Sequence, residues 1–170
     1  MSPTCPASGT SGRPVPHKTL ASLLHQQRLA GVEEHQWHFC ESLDCDVVYY
    51  TQEGHTRTRA DLSVRVGVKE REAPRPLCYC FGHTAASIAD EVGRTGASTA
   101  VESVTARVKA GDCACETTNP SGRCCLGVLR REVGETMRGA GITGSSSQSQ
   151  EAVATGDCCE VQKTGGVSAE

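Results

Sequence analysis

The chain has 170 residues, enough for one ordinary domain or two very small ones. Eleven residues are cysteines and only six are aromatic, all six within residues 37–81, and a chain so poor in large apolar groups needs cross-links or metals to hold small domains together. The net charge of −3 lies entirely in residues 139–170, and the lack of a basic patch argues against nucleic-acid binding.

The sequence also bears on location. No apolar run approaches the ~20 residues that span a bilayer, so membrane insertion is not expected. The first residues lack the basic and apolar regions of a secretory signal, which predicts a cytoplasmic chain. In that reducing compartment cysteines more often bind metals or act as redox centres than form disulfides.

Residues 1–71 are predicted to form a small α+β unit. Leucines at helical spacing predict a helix over 18–30, with Gly31 after its end. Aromatic and β-branched residues predict strands at 37–39 and 46–50, followed by a turn at 52–54. The alternation of Val64-Arg-Val-Gly-Val68 predicts a third strand, so we expect a small antiparallel sheet with one helix.

Residues 72–138 are predicted to be helical after a stiff, proline-containing linker over 72–77. The patterns predict helices at 85–92, 99–109 and 122–138, with Thr84 and Ser98 as N-caps of the first two. Residues 139–170 contain 14 glycine, serine or threonine residues among 32, which is typical of a disordered tail. The fold class is therefore α+β: an α+β unit, a helical unit and a tail.

One group of cysteines lies in the helical unit. Cys78 and Cys80 precede the first predicted helix, and a later segment contributes Cys113, Cys115, Cys124 and Cys125. The turn at 119–122 brings that segment back on itself, so four thiolates can converge as an iron–sulfur cluster or a structural zinc requires. Spacing alone does not separate the two, although C-x-C is unlike the C-x₂-C of most structural zinc sites.

A second group lies in the α+β unit. Cys40 and Cys45 stand between two predicted strands, and Cys5 is distant in sequence, an arrangement that suggests zinc. A fourth ligand is missing, because Ser8 stands where a C-x₂-C pair would place its second cysteine. The candidates for that position are His38, His17, His35 or a solvent molecule.

Cys158 and Cys159 lie next to each other in the tail. They either offer soft ligands to an ion such as Cu(I) or belong to an inert tail. The sequence contains no catalytic triad, P-loop or dinucleotide fingerprint, so a conventional enzyme is not indicated.

Four runs of residues, in the same order, resemble the N-terminal half of CopZ-type copper chaperones over roughly residues 3–130. The runs are Cys40-x₄-Cys45-Asp-Val-Val-Tyr-Tyr, Val64-Arg-Val-Gly-Val-Lys-Glu70, Leu77-Cys-Tyr-Cys-Phe-Gly-His-Thr84 and Cys115-x₃-Asn-Pro-Ser-Gly-Arg-Cys-Cys-Leu-Gly127. The resemblance implies a zinc site in a small α+β unit. It also implies a 2Fe–2S cluster in a helical unit similar to bacterioferritin-associated ferredoxin.

Residue roles follow from the resemblance by position. Cys78, Cys80 and Cys115 match cluster ligands, and Cys125 is preferred to Cys124 as the fourth. Cys5, Cys40 and Cys45 match the zinc region. The family implies that the cluster supplies an electron to reduce Cu(II) to Cu(I), which passes to a copper or heavy-metal transporter.

Two alternatives stay open. The chain lacks the M-x-C-x-x-C copper motif found in a separate domain of some family members. A small electron-transfer or redox-sensing iron–sulfur module, served by an electron donor and without metal cargo, is therefore the main alternative. A purely structural protein with zinc at both sites is the other.

Overall fold

A four-stranded antiparallel sheet in the order β1-β2-β3-β4 forms the N-terminal part of the structure, a computed structural model that describes residues 3–142. The core of this part joins residues of the strands with residues of the first helix, and Leu20, Val48 and Tyr49 are fully buried in it. The elements are β1 (Arg13–Val15), α1 (His17–Leu23), β2 (Trp37–Phe39), β3 (Val47–Tyr50) and β4 (Thr56–Thr58). The strands predicted at 37–39 and 46–50 and the turn at 52–54 are present, whereas β1 had no clear signal in the sequence.

The helix predicted over 18–30 is shorter than expected. It ends at Leu23 because Leu24 turns to an extended conformation (ψ 146°) and forms a β-bridge with Leu62. Backbone hydrogen bonds from His25 to Asp61 and from Ser63 to Leu23 complete this pairing. The leucine spacing beyond Leu23 is compatible with a helix, but the chain pairs there with a segment that is distant in sequence.

The strand predicted at 64–68 is also wrong. Residues 67–69 form a short 3₁₀ helix, and β4 occupies the place beside β3 instead. Gly67 lies against the carbonyl oxygen of Pro76, so the backbone turns here rather than continuing in an extended form. The turn carries Lys69 inward, where it is buried.

The C-terminal part is mainly helical. Its elements are β5 (Pro76–Cys78), β6 (His83–Thr84), α2 (Ala85–Thr95), α3 (Ala100–Lys109), α4 (Cys115–Thr118) and α5 (Leu126–Gly139). Ile88, Val104 and Leu129 form the centre of its core. The end of the predicted linker thus forms β5, which pairs with β6.

The helix boundaries differ in detail from the predictions. Thr84 caps α2 as predicted, its hydroxyl accepting a hydrogen bond from the Ser87 N–H. The helix passes Gly93 and ends at Thr95, and Gly96 follows as the C-cap with a left-handed φ of 77°. Thr99 rather than Ser98 is the N-cap of α3. The last helix begins at Leu126 rather than at 122.

The two parts pack against each other through α1 and α4. Lys18 pairs with Glu116, and Thr19 Oγ1 donates a hydrogen bond to the Glu116 carbonyl at 2.5 Å. Tyr49 Oη donates to the Pro120 carbonyl at 2.8 Å. The segment between Cys115 and Cys125 therefore rests on the N-terminal sheet.

None of the helices within residues 3–142 has the length and apolar character needed to traverse a bilayer. The predicted tail, including Cys158 and Cys159, lies outside the described residues.

Candidate metal centres

Three thiols meet beside the N-terminal sheet. Cys40 follows β2 and Cys45 precedes β3, so the antiparallel pairing of these strands brings the two cysteines to the same end of the sheet. Cys5 reaches the same place through its loop, where its N–H donates to the Thr10 carbonyl. The three ligand atoms lie within 4.8 Å of one another, and all three residues are buried.

The spacing of these thiols suits one tetrahedral ion. Cys5 Sγ and Cys45 Sγ are 3.8 Å apart. Two sulfurs that share a zinc at the usual Zn–S distance of about 2.3 Å are also separated by about 3.8 Å. The side chains of Cys5, Cys40 and Cys45 therefore fit a zinc ion without rearrangement of the backbone.

Hydroxyl groups stand beside the third thiol. Ser8 Oγ lies 3.5 Å from Cys40 Sγ, and Thr10 Oγ1 lies 3.8 Å from it. Burial opposes ionisation, but hydrogen bonds from Ser8, the Ser42 backbone and Thr10 lower the pKa of Cys40 to about 7. Cys40 thus supplies a thiolate near neutral pH, the form that binds metals. Burial raises the pKa of Cys45.

A buried lysine supports the loop between Cys40 and Cys45. Lys69 is 2% exposed, and its ammonium donates to the carbonyls of Ser42 at 2.8 Å and Cys45 at 3.0 Å. Its charge also favours the thiolate of Cys40. One lysine therefore fixes the loop geometry and offsets part of the thiolates' negative charge. The sequence carried no signal for this role, because Lys69 directly follows the segment 64–68, whose pattern predicts a strand.

The histidines considered as a fourth ligand are not part of this three-thiol group. His38 is buried and stacks on Tyr50 with ring centroids 5.7 Å apart, and its Nδ1 has no hydrogen-bond partner among the described residues. His17 Nε2 contacts the His35 carbonyl at 2.8 Å. The side-chain oxygens that stand beside this group are instead those of Ser8 and Thr10, next to Cys40.

Four thiols of the C-terminal part form a second group. Cys80 Sγ lies 3.6 Å from Cys115 Sγ, and Cys125 Sγ lies 2.9 Å from Cys78 Sγ. β5 positions Cys78, the start of α4 positions Cys115, and Cys125 immediately precedes α5. The structure thus brings together residues from three segments as two contacting pairs.

Hydrogen bonding links the two pairs. Bonds from Cys115 and Cys78 lower the pKa of Cys125 to about 4, although burial opposes this. Contacts with Cys124 and Cys125 raise the pKa of Cys115, and the contact with Cys125 raises that of Cys78. One thiolate is thus stabilised by the protons of its neighbours, and these four residues could hold a metal that replaces those protons.

Polar groups surround Cys80. The Ala114 N–H donates to Cys80 Sγ at 3.3 Å, and Thr118 Oγ1 lies 3.1 Å from the same sulfur. Cys80 is half-buried, whereas Cys78, Cys115 and Cys125 are buried. An N–H donor such as that of Ala114 stabilises negative charge on a ligand sulfur and tunes the potential of a bound centre.

The neighbouring cysteines are placed differently. Cys124 is half-buried and contacts Cys115, whereas Cys125 is 1% exposed and faces Cys78. Cys113 is half-buried and precedes the Ala114 N–H that contacts Cys80. The geometry therefore favours Cys125 over Cys124 as a member of the second group.

Comparisons with known proteins found similar chains. The family model zf_CopZ, described as a zinc binding domain, matches residues 2–63. The copper chaperone CopZ of Archaeoglobus fulgidus is 35% identical over 127 residues, which are 75% of this chain and 60% of that relative. The chain thus spans about three fifths of that relative's length.

A solved structure is similar over a larger share of this chain than the family model covers. The X-ray structure of the Archaeoglobus fulgidus CopZ N-terminal domain superposes with a TM-score of 0.65 at 34% identity, covering 75% of this chain and 95% of that chain. The mixed helices and strands, the three-thiol group and this similarity lead to one conclusion. The chain belongs to the family of CopZ-type copper chaperone domains.

Proposed function

We propose that this protein is a cytoplasmic metallochaperone that binds zinc and a 2Fe–2S cluster, reduces Cu(II) to Cu(I), and passes copper on. The convergence of Cys78, Cys80, Cys115 and Cys125 carries the proposal. Four cysteine thiolates are the ligand set of a 2Fe–2S cluster. These residues come from segments about 40 residues apart, so chance burial of thiols does not account for their meeting.

The arrangement in two pairs favours a cluster over a single zinc. The four sulfurs do not all lie within the 4.8 Å that encloses the ligand atoms of the other site. A cluster spreads its four thiolates over two irons, so the pairs Cys80–Cys115 and Cys78–Cys125 suit one iron each. We propose Cys125 rather than Cys124 as the fourth ligand because it is buried and faces Cys78.

When bound, a 2Fe–2S cluster supplies a one-electron couple, which is the change that converts Cu(II) to Cu(I). A one-electron donor protein then restores the reduced state. The residues of this chain hold the sulfurs, donate a hydrogen bond to Cys80 through the Ala114 N–H, place the Thr118 hydroxyl 3.1 Å from the same sulfur, and exclude water from the buried pair Cys78–Cys125. A copper or heavy-metal transporter is the acceptor we propose for Cu(I).

The three-thiol site has a structural role in this proposal. Zinc at Cys5, Cys40 and Cys45 would fasten the N-terminal loop to the β2–β3 connection, and such binding adds to the free energy of folding. We also propose two units, residues 1–71 with zinc and residues 72–138 with the cluster. The tail thiols Cys158 and Cys159, together with Cys113, are candidates to hold Cu(I) because thiolates are soft ligands.

The first experiment is an absorption spectrum with iron, sulfide and zinc analysis of the anaerobically purified protein. We expect visible charge-transfer bands that dithionite bleaches, with about two irons and two sulfides per chain. A colourless protein that holds only zinc, even after cluster reconstitution, would overturn the proposal and leave the structural alternative.

Cysteine variants test the ligand assignment. Cys80→Ser and Cys125→Ser are expected to lose the visible bands, whereas the neighbouring substitutions Cys113→Ser and Cys124→Ser are expected to keep them. Zinc content should stay at the wild-type level in all four variants. Loss of the bands in Cys124→Ser together with retention in Cys125→Ser would reverse the choice of the fourth ligand.

A copper titration separates the chaperone from the electron-transfer alternative. The reduced protein is mixed with Cu(II) under anaerobic conditions, and a chromogenic Cu(I) chelator reports the product. One Cu(I) per oxidised cluster, with stoichiometric retention by the protein before the chelator is added, supports the chaperone. Cluster oxidation by a partner protein without copper retention would support the electron-transfer module.

A further inference from the structure

A group of histidines lies at the opposite end of the sheet from the three thiols. His35 stands in the loop before β2, and its ring contacts the ring of His55 in a tilted arrangement with centroids 4.4 Å apart. His35 Nδ1 lies 3.7 Å from Glu53 Oε2. The pairing of β2 with β3 and the turn at the end of β3 bring these residues together. Neither the zinc site nor the cluster site uses them.

The turn holds the carboxylate and the second ring in place. The Thr51 N–H donates to the His55 carbonyl at 2.9 Å, and the His55 N–H donates to Thr51 Oγ1 at 3.2 Å. Hydrogen bonds from its own backbone and from Thr51, aided by both histidines, keep the pKa of Glu53 below its ordinary value. Glu53 is therefore an anionic oxygen donor beside two imidazoles.

We propose that His35, Glu53 and His55 form a surface site that takes Cu(II), the substrate ion of the proposed reduction, and holds it before it becomes Cu(I). Imidazole and carboxylate are ligands that suit Cu(II), whereas thiolates suit Cu(I). Cu(II) on thiolates is also destructive: two thiolates each give one electron to a Cu(II) ion, and their sulfurs join as a disulfide. A protein that receives Cu(II) therefore benefits from a site without sulfur.

The distances are compatible with one ion. Two donors that lie about 2.0–2.2 Å from a shared metal are at most about 4 Å apart, and the 3.7 Å between His35 Nδ1 and Glu53 Oε2 meets this limit. As the side chains stand, the three donors do not all lie within 4.8 Å of one another. His55 and Glu53 are exposed, so rotation about their side-chain bonds completes the set.

The site is distinct from the thiols yet lies near the loop that carries Cys124 and Cys125. His35 is extended (φ −131°, ψ 152°) and five residues before Cys40, which places them about 16 Å apart at ~3.3 Å per residue. On the other side, His17 contacts the His35 carbonyl. His17 also lines an open cleft of about 470 Å³ together with Gly122 and Arg123, the residues that precede Cys124.

The inference rests on the proposed function for its physiological meaning, but its test does not require a working cluster. One equivalent of Cu(II) is mixed with the full chain carrying its metals, and the sample is frozen within seconds for electron paramagnetic resonance. We expect a Cu(II) signal with superhyperfine coupling to two imidazole nitrogens. His35→Gln and His55→Gln should each remove one nitrogen coupling and weaken Cu(II) binding at least tenfold. Glu53→Gln should weaken it by a smaller factor.

His25→Gln is the matched control, because His25 is an exposed histidine outside this group. The inference would be overturned if the nitrogen couplings were unchanged in all three variants, His35→Gln, His55→Gln and Glu53→Gln. The two histidines would then be a surface pair that binds no copper. A wild-type spectrum without imidazole coupling would also overturn it. If Cu(II) binds here but the protein never yields Cu(I), the proposed reduction fails and the site stands. If Cu(I) forms at equal rates in His35→Gln and wild type, the site fails and the reduction stands.

Discussion

The hydroxyl of Tyr49 donates a hydrogen bond to the carbonyl of Pro120, joining the central strand of the N-terminal sheet to the loop that ends in Cys124 and Cys125. Tyr49 is fully buried and Pro120 is buried, so water cannot replace this bond. Thr19 makes a parallel contact with Glu116 at the start of the same segment. The sheet therefore serves as a support for residues that carry two of the proposed cluster ligands.

Tyr49→Phe should loosen that support. The substitution leaves the Pro120 carbonyl buried without its partner, which typically costs about 1–3 kcal/mol. We expect a lower free energy of unfolding and faster loss of the visible bands in the presence of an iron chelator. Tyr50→Phe is the control, because Tyr50 bonds to Gly12 and Pro3 on the zinc side. Equal rates of band loss in the two variants would contradict the role of Tyr49.

Lys69→Met should weaken the zinc site. The variant removes the buried ammonium that bonds to the Ser42 and Cys45 carbonyls, and we expect a loss of about 3 kcal/mol in stability. Zinc should then transfer to a competing chelator more readily. Arg71→Met is the matched control, because Arg71 pairs with Asp44 of the same loop where both side chains are exposed. An exposed pair of this kind is worth under about 1 kcal/mol, so the control should retain zinc as wild type does.

Gly67→Ala should destabilise the protein because a Cβ there would lie 1.7 Å from the Pro76 carbonyl oxygen. Backbone must move to relieve such a contact, at a cost of about 3 kcal/mol or more. Gly93→Ala is the opposite case: nothing lies within 4 Å of its added Cβ, and the position is within α2. That variant should gain about 0.5–1 kcal/mol. Urea unfolding measures both, and a Gly67→Ala protein as stable as wild type would show that Pro76 can move.

The sequence predicted the local elements better than the long-range contacts. Aromatic and β-branched residues predicted the strands Trp37–Phe39 and Val47–Tyr50. The capping residue Thr84 predicted the start of α2. The prediction of a helix over 18–30 is too long because Leu24 pairs with Leu62, which lies 38 residues further along the chain. The local spacing of apolar residues carries no information about pairing with a segment that is distant in sequence.

The candidate sites show the same division. The cysteine pattern and the family resemblance predicted the members of both thiol groups, because ligand chemistry depends on residue type, and their binding of metal stays a prediction. Nothing in the sequence identified Lys69 or Tyr49 as supports, since each acts through a backbone carbonyl of a distant loop. Carbonyls are present at every position, so contacts of this kind become visible only in the folded chain.

Asp61 should make stability depend on pH. Burial alone would raise the pKa of Asp61, but hydrogen bonds from Arg28 and the Thr58 N–H hold it below its ordinary value. Because the folded pKa is lower than the unfolded pKa of about 3.9, this carboxylate stabilises the fold above that pH. The contribution is lost as the pH falls through the folded pKa.

Asp61→Asn therefore should be less stable than wild type at pH 7, by about 2 kcal/mol, and the difference should shrink below pH 4. Urea unfolding of both proteins from pH 7 to pH 3 measures this. Asp46→Asn is the control, because Asp46 pairs with Arg59 at an exposed position and should change stability little. A difference between Asp61→Asn and wild type that stays constant down to pH 3 would refute the pH argument.

Ser8→Cys should close the coordination of the three-thiol site. Ser8 Oγ already lies 3.5 Å from Cys40 Sγ, and a cysteine at position 8 completes a C-x₂-C pair with Cys5. A fourth thiolate in place of a hydroxyl or solvent should slow zinc release to a chelator at least tenfold. Cobalt substitution supplies an independent count, since the thiolate-to-metal bands should grow from a three-sulfur to a four-sulfur intensity. The Ser8 hydroxyl lowers the pKa of Cys40, so Ser8→Ala is the control that shows the effect of losing this hydroxyl without gaining a sulfur. If Ser8→Cys and wild type release zinc at the same rate, the fourth position is filled by a residue other than Ser8, and the buried His38 is the next to be replaced.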